Sequence, residues 1–112
     1  MKQPISIVRG TTNFFQVDIV DQNGDEYLLK ENETLVFAVK ANPTDIERLI
    51  VKTLPASSKY IFTLNPDDTT NLEPGRYVYD VGLQVGEQQF YNIIESSLFE
   101  IKPNVAELGD GS

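Results

Sequence analysis

The chain has 112 residues, 40% hydrophobic and 23% charged, with 9 basic against 17 acidic side chains and a formal charge of −8. That length and composition suit one globular domain able to bury a core, and exclude a chain disordered throughout. The acidic balance opposes phosphate backbones and anionic lipid, so nucleic acid and membrane are poor partners, and it also serves plain solubility.

Ile5 to Val8 is a short β-prone run ended by Gly10. Asn13 to Val20 follows, with Phe15, Val17 and Ile19 alternating against Gln16 and Asp18, the period of a half-buried strand. Asp21-Gln22-Asn23-Gly24 reads as a tight turn. Tyr27 to Leu29 is a short extended piece, and Leu35 to Lys40 alternates again until Asn42-Pro43 breaks it. Arg48 to Leu54 alternates less cleanly and stops at Pro55, and Tyr60, Phe62 and Leu64 mark the next strand.

Asn65-Pro66-Asp67-Asp68 offers a helix cap, a proline at the first helical position and an acid three residues after the cap, which predicts a single helical turn. Arg76 to Gln84 is the clearest strand, with Tyr77, Tyr79, Val81 and Leu83 on one face. After Gly86-Glu87, Gln89 to Ile94 and Leu98 to Lys102 form either one last strand or a broken pair, and Pro103 ends it. About seven strands at short spacing predict an all-β fold, an immunoglobulin-like (fibronectin-type) antiparallel β-sandwich over residues 1–103 with a flexible tail over 104–112. The predicted core is Phe15, Val17, Ile19, Phe37, Val39, Phe62, Leu64, Leu72, Tyr77, Tyr79, Val81 and Leu83.

The stretch from Leu72 to Tyr77 joins a helical turn to a strand through Pro74 and Gly75. In a sandwich such a crossing places the Leu at the end of the core and lets the Tyr hydroxyl bond back to upstream backbone. Leu72, Pro74, Gly75 and Tyr77 are therefore the expected structural corner. The alternative is that Tyr77 is one more core aromatic beside Tyr79.

The chain has no His and no Cys. Triad catalysis and the common zinc sites need those side chains, and no phosphate-binding or nucleophile-elbow motif occurs. The acidic pairs Asp25/Glu26 and Asp67/Asp68 sit in turns where neighbouring acids diverge, unlike carboxylates held across a cleft. Counted as a calcium loop from Asp21, the segment lacks both the central glycine at position six and the acid at position twelve, so a hairpin turn is preferred. The expectation is a non-enzyme with no metal and no cofactor. Tyr27, Tyr60 and Tyr91 are candidates for a protein- or sugar-binding patch, or else each packs on a sheet face. The run before Gly10 is a candidate sheet edge for strand addition. Met1-Lys2-Gln3-Pro4-Ile5 lacks the apolar segment of a signal peptide, and no stretch approaches the ~20 apolar residues of a membrane span, so synthesis in the cytoplasm is expected.

Several stretches together resemble a known family. They are Arg9-Gly10-Thr11-Thr12, the turn Asp21 to Gly24, Leu35 to Lys40 with Asn42-Pro43-Thr44-Asp45, Leu64 to Thr69, and Leu72 to Val81. The series is similar to the Ig-like N-terminal domain of baseplate upper proteins and related tail or fibre structural proteins of phages and prophages of Gram-positive bacteria. The likeness covers most of residues 9 to 102. It implies a non-catalytic virion structural protein whose partners are other virion proteins, with self-assembly through sheet edges as a further expectation. The alternative is an Ig-like adhesion or carbohydrate-binding module of a bacterial cell-surface protein. One departure from the family is that its members usually continue into helical or receptor-facing regions.

Overall fold

The computed structural model describes residues 4–56 and 59–104. Their strands are β1 (Ile5–Val8), β2 (Asn13–Gln16), β3 (Glu33–Lys40), β4 (Ile50–Leu54), β5 (Ile61–Leu64), β6 (Gly75–Val85) and β7 (Gln89–Lys102), with one helical turn, α1 (Pro66–Thr70). Five strands make one sheet in the order β1-β7-β6-β3-β4, and β2 with β5 makes a second. The fold is all-β. The predicted tail beyond Asn104 lies outside the described residues.

Alternation along β3 and β6 decides which side is the core. The two strands pair antiparallel from Glu33↔Val85 to Lys40↔Val78. Leu35, Phe37 and Val39 thus lie beside Leu83, Val81 and Tyr79, and all six are buried. Phe37 sits at the centre, its ring 5.5 Å from both Phe62 and Tyr79 and 6.1 Å from Phe15 and Phe99. The two-stranded sheet therefore faces β3 across an aromatic core, where offset and edge-on ring contacts add to area burial. Of the twelve predicted core residues, Phe15, Leu72 and Tyr77 are only partly buried and pack against the cluster, while the other nine are buried within it. Phe99, Leu35 and Ile101 join that core as fully buried members.

Three expectations need correction. The sheet is mixed rather than antiparallel, because β1 pairs parallel with β7 from Ile5↔Phe99 to Val8↔Lys102. Gly10, at φ 75, bends the chain so that β1 stays with the larger sheet while β2 joins the smaller. The strand expected from Asn13 to Val20 ladders only to Gln16. Beyond it the chain holds through single bonds, Val17 N–H to Tyr60 O at 2.8 Å and Tyr27 N–H to Ile19 O at 2.8 Å, so Val17 and Ile19 remain buried outside the ladder. Tyr27 to Leu29 forms no strand, although Leu29 is buried. The last segment is one strand of 14 residues. Its register shifts against β6 between Tyr79↔Ser97 and Gly82↔Asn92, and this irregularity gave the sequence the look of a broken pair.

The helical turn forms as its residues predict. Pro66 occupies the first turn, Asp68 Oδ2 accepts the Asn65 N–H at 2.7 Å, and the chain leaves at Asn71. Asp68 also meets Lys52 of β4, Nζ to Oδ2 at 2.9 Å, tying α1 to the edge of the large sheet.

Candidate functional site

The corner is assembled from three parts of the chain. Leu72 is half-buried against the core, Pro74 and Gly75 follow it, and Tyr77 donates its hydroxyl to Glu73 O at 2.6 Å. Sequence reasoning missed what clamps it. Arg9, just after β1, donates Nε–H to Leu72 O at 3.0 Å and Nη2–H to Thr70 O. Gly10 N–H reaches the hydroxyl of fully buried Thr69 at 2.8 Å, and Asn104 donates to Arg9 O at 3.2 Å. One arginine thus binds the end of β1, the corner and the exit of β7. The available signal was a lone basic residue before a glycine, in a chain where bases are scarce.

The three tyrosines do not form one patch. Tyr60 is buried, and its hydroxyl oxygen accepts the Leu29 N–H at 2.8 Å. Packing won there because Tyr60 follows the inward phase of Phe62 and Leu64. Tyr27 turns its hydroxyl to the carboxylate of buried Glu33, 2.8 Å from each oxygen, and Lys30 N–H donates to Oε1 at 2.7 Å. That bond to Glu33 is the main cause holding the Tyr27 phenol above its ordinary range. Only Tyr91 stands exposed, beside exposed Phe90 on β7. Glu33 lies in the inward phase of β3, two residues before Leu35, so its burial was legible in principle.

The acidic turns are occupied locally. Asp21 Oδ1 accepts the N–H groups of Asn23 at 2.8 Å and Asp25 at 3.1 Å, closing the hairpin turn on itself. Asp68 serves α1 and Lys52 as described. Among the described residues no group of three or more Asp and Glu is arranged to hold a metal. A groove of about 440 Å³ runs along Val17 to Val20 past Lys59 and Tyr60, and a cleft of about 270 Å³ opens between Ile5, Phe14 and the core rings of Phe37 and Phe62.

The remaining feature is the outer face of the five-stranded sheet. Opposite the core-facing positions, register places Val36 and Ala38 of β3, Val51 of β4, Val78 and Gly82 of β6, and Phe90 and Leu98 of β7 on this side. The tip of the Phe90 ring packs on Gly82, where a Cβ would stand 1.9 Å from ring atom Cζ. Gly82 has no positive φ, so it is required by this close approach rather than by backbone conformation. Asp80 shares the face, and burial pushes its carboxyl up despite Lys40 and Arg48 nearby. The sheet's two free edges are β1, four residues long, and β4.

No protein-family model matches the chain, and no curated protein matches its sequence.

Proposed function

We propose that this domain is an immunoglobulin-like, fibronectin-type sandwich that serves as a non-catalytic assembly module of a phage or prophage particle, in its baseplate, tail or fibre. The observation that carries the fold reading is the corner. A tyrosine near the start of β6, two residues before core residue Tyr79, bonds its hydroxyl to backbone four residues upstream, as the tyrosine corner of such sandwiches does. The sheet order supports it, with β3, β6 and β7 in the places of the central strands C, F and G, and β2 with β5 in those of B and E. The virion reading rests on the sequence resemblance across Arg9 to Lys102, including Leu72 to Val81. The carboxylates of Asp21 and Glu33 are engaged by nearby backbone N–H groups, which fits a role carried by surface contact.

The test is to induce the host lysogen, band the particles by density and quantify this chain by mass spectrometry. Co-banding at a fixed ratio to tail or baseplate proteins is expected. Recovery with cell-wall polysaccharide and no particle protein overturns this reading in favour of a cell-surface adhesion module.

A further inference from the structure

We propose that the outer face of the five-stranded sheet is a self-docking surface that takes a second copy of this chain, face to face about a two-fold axis. The proposal deepens the assembly reading, on which it rests for its biological setting, by naming one partner. Three observations carry it.

The face sets large apolar side chains among its polar ones, where a solvated sheet face is polar. Phe90 is 50% exposed, Val51 42% and Leu98 37%, and Val36 and Val78 are half-buried between them. Antiparallel sheets that face water on one side show polar residues there. The centre is low in side-chain bulk, because Ala38 and Gly82 carry almost no side chain and the tip of the Phe90 ring packs on Gly82. Such a surface suits a second sheet packed ~10 Å away.

Charge selects the partner. The chain carries −8 overall, so two copies repel unless they meet where the acidic surplus is absent. Along the strands, this face carries Lys40, Arg76 and Lys102 against Asp80 and Glu100. Lys40, Arg76, Glu100 and Lys102 lie towards the end bearing Val78 and Leu98 and Asp80 lies near the middle beside Ala38, while the end bearing Phe90, Gln84 and Thr34 is uncharged. A two-fold axis through the middle of the sheet lays the charged end of one copy over the neutral end of the other and keeps the basic groups apart.

The area is sufficient. The strands β1, β7, β6, β3 and β4 run 4, 14, 11, 8 and 5 residues, and at ~3.3 Å per residue and ~4.8 Å between strands they present roughly 600 Å². Two copies then bury about 1,200 Å², above the roughly 1,000 Å² that a specific interface needs.

Sedimentation equilibrium of the purified chain from about 1 µM to about 1 mM tests this. A mass rising from 12.6 kDa towards twice that value is expected. Val51→Glu and Leu98→Glu each place a carboxylate at the docked surface twice over, and each is expected to raise the dissociation constant at least about tenfold. Phe14→Glu, on the outer side of the other sheet, is expected to leave it unchanged. In a parallel readout independent of the variants, methyl resonances of Val36, Val51 and Leu98 shift on dilution while those of Leu28 and Ile46 do not. A mass of 12.6 kDa throughout, or equal loss of association in Phe14→Glu, overturns the proposal. Because the assay needs no particle, its failure leaves co-banding with virions untouched, and failure of co-banding leaves self-docking untouched.

Discussion

Gly82 and Phe90 give the sharpest test of the packing described above. A methyl group at Gly82 would lie 1.9 Å from Phe90 Cζ, so the ring must lift in Gly82→Ala. Phe90 is 50% exposed. Its buried half is roughly 100 Å² of a side chain that buries up to about 200 Å², worth at most ~2.5 kcal/mol at ~25 cal/mol per Å². Lifting the ring forfeits much of this, while replacing a strand glycine returns ~0.5–1 kcal/mol of backbone entropy. Gly82→Ala alone is therefore expected to destabilise by about 1–2 kcal/mol. In a Phe90→Ala background, where nothing occupies the space, the same substitution is expected to stabilise by ~0.5–1 kcal/mol. The coupling in the double-mutant cycle is then about 1.5–3 kcal/mol, read from urea midpoints at low micromolar protein, where self-association is suppressed. Additivity within ~0.5 kcal/mol refutes the ring-on-glycine contact.

Two further predictions concern the corner and the sheet face. Tyr77→Phe removes the 2.6 Å bond to Glu73 O and is expected to cost about 0.5–1.5 kcal/mol in urea unfolding, and an unchanged midpoint would show that the hydroxyl contributes nothing to the corner. Asp80 binds its proton more tightly folded than at its ordinary value of 3.8, so its contribution to stability falls as pH rises from 3.8 through the folded pKa and stays low above it; Asp80→Asn is expected to melt above the parent at pH 7 with the gap closing towards pH 3.8, and a gap that widens on acidification contradicts the burial effect.

The parts of the fold that the sequence displays are those set by local period. β3 and β6 alternate over eight residues or more, and the cap at Asn65 with Pro66 and Asp68 specifies its helical turn within four residues. What local pattern does not carry is pairing. Nothing within Ile5 to Val8 says that its neighbour is a strand more than ninety residues away, running the same way. The limit of β2 is equally non-local, because Val17 and Ile19 keep the inward phase of a strand after the ladder has ended. Among the candidate site residues, Tyr77 was legible through its Pro-Gly approach. Tyr27 and Tyr60 were not, since an aromatic at strand spacing reads the same whether its hydroxyl faces water or a buried carboxylate. The docking face was partly visible as Val36 and Ala38 on the polar phase of β3, but the packing of Phe90 on Gly82 of the neighbouring strand was not.

The parallel pairing of β1 with β7 has a mechanical consequence. The chain enters the ladder at Ile5 beside Phe99 and leaves it at Lys102 beside Val8. A pull between the two ends of the domain drags β1 and β7 lengthwise past each other, so the bonds of that ladder share the load instead of opening one by one. Arg9 adds lateral cross-ties to Thr70 and Leu72 at the end where β7 departs. A domain wired in this way meets tension along its length with the whole β1–β7 ladder at once.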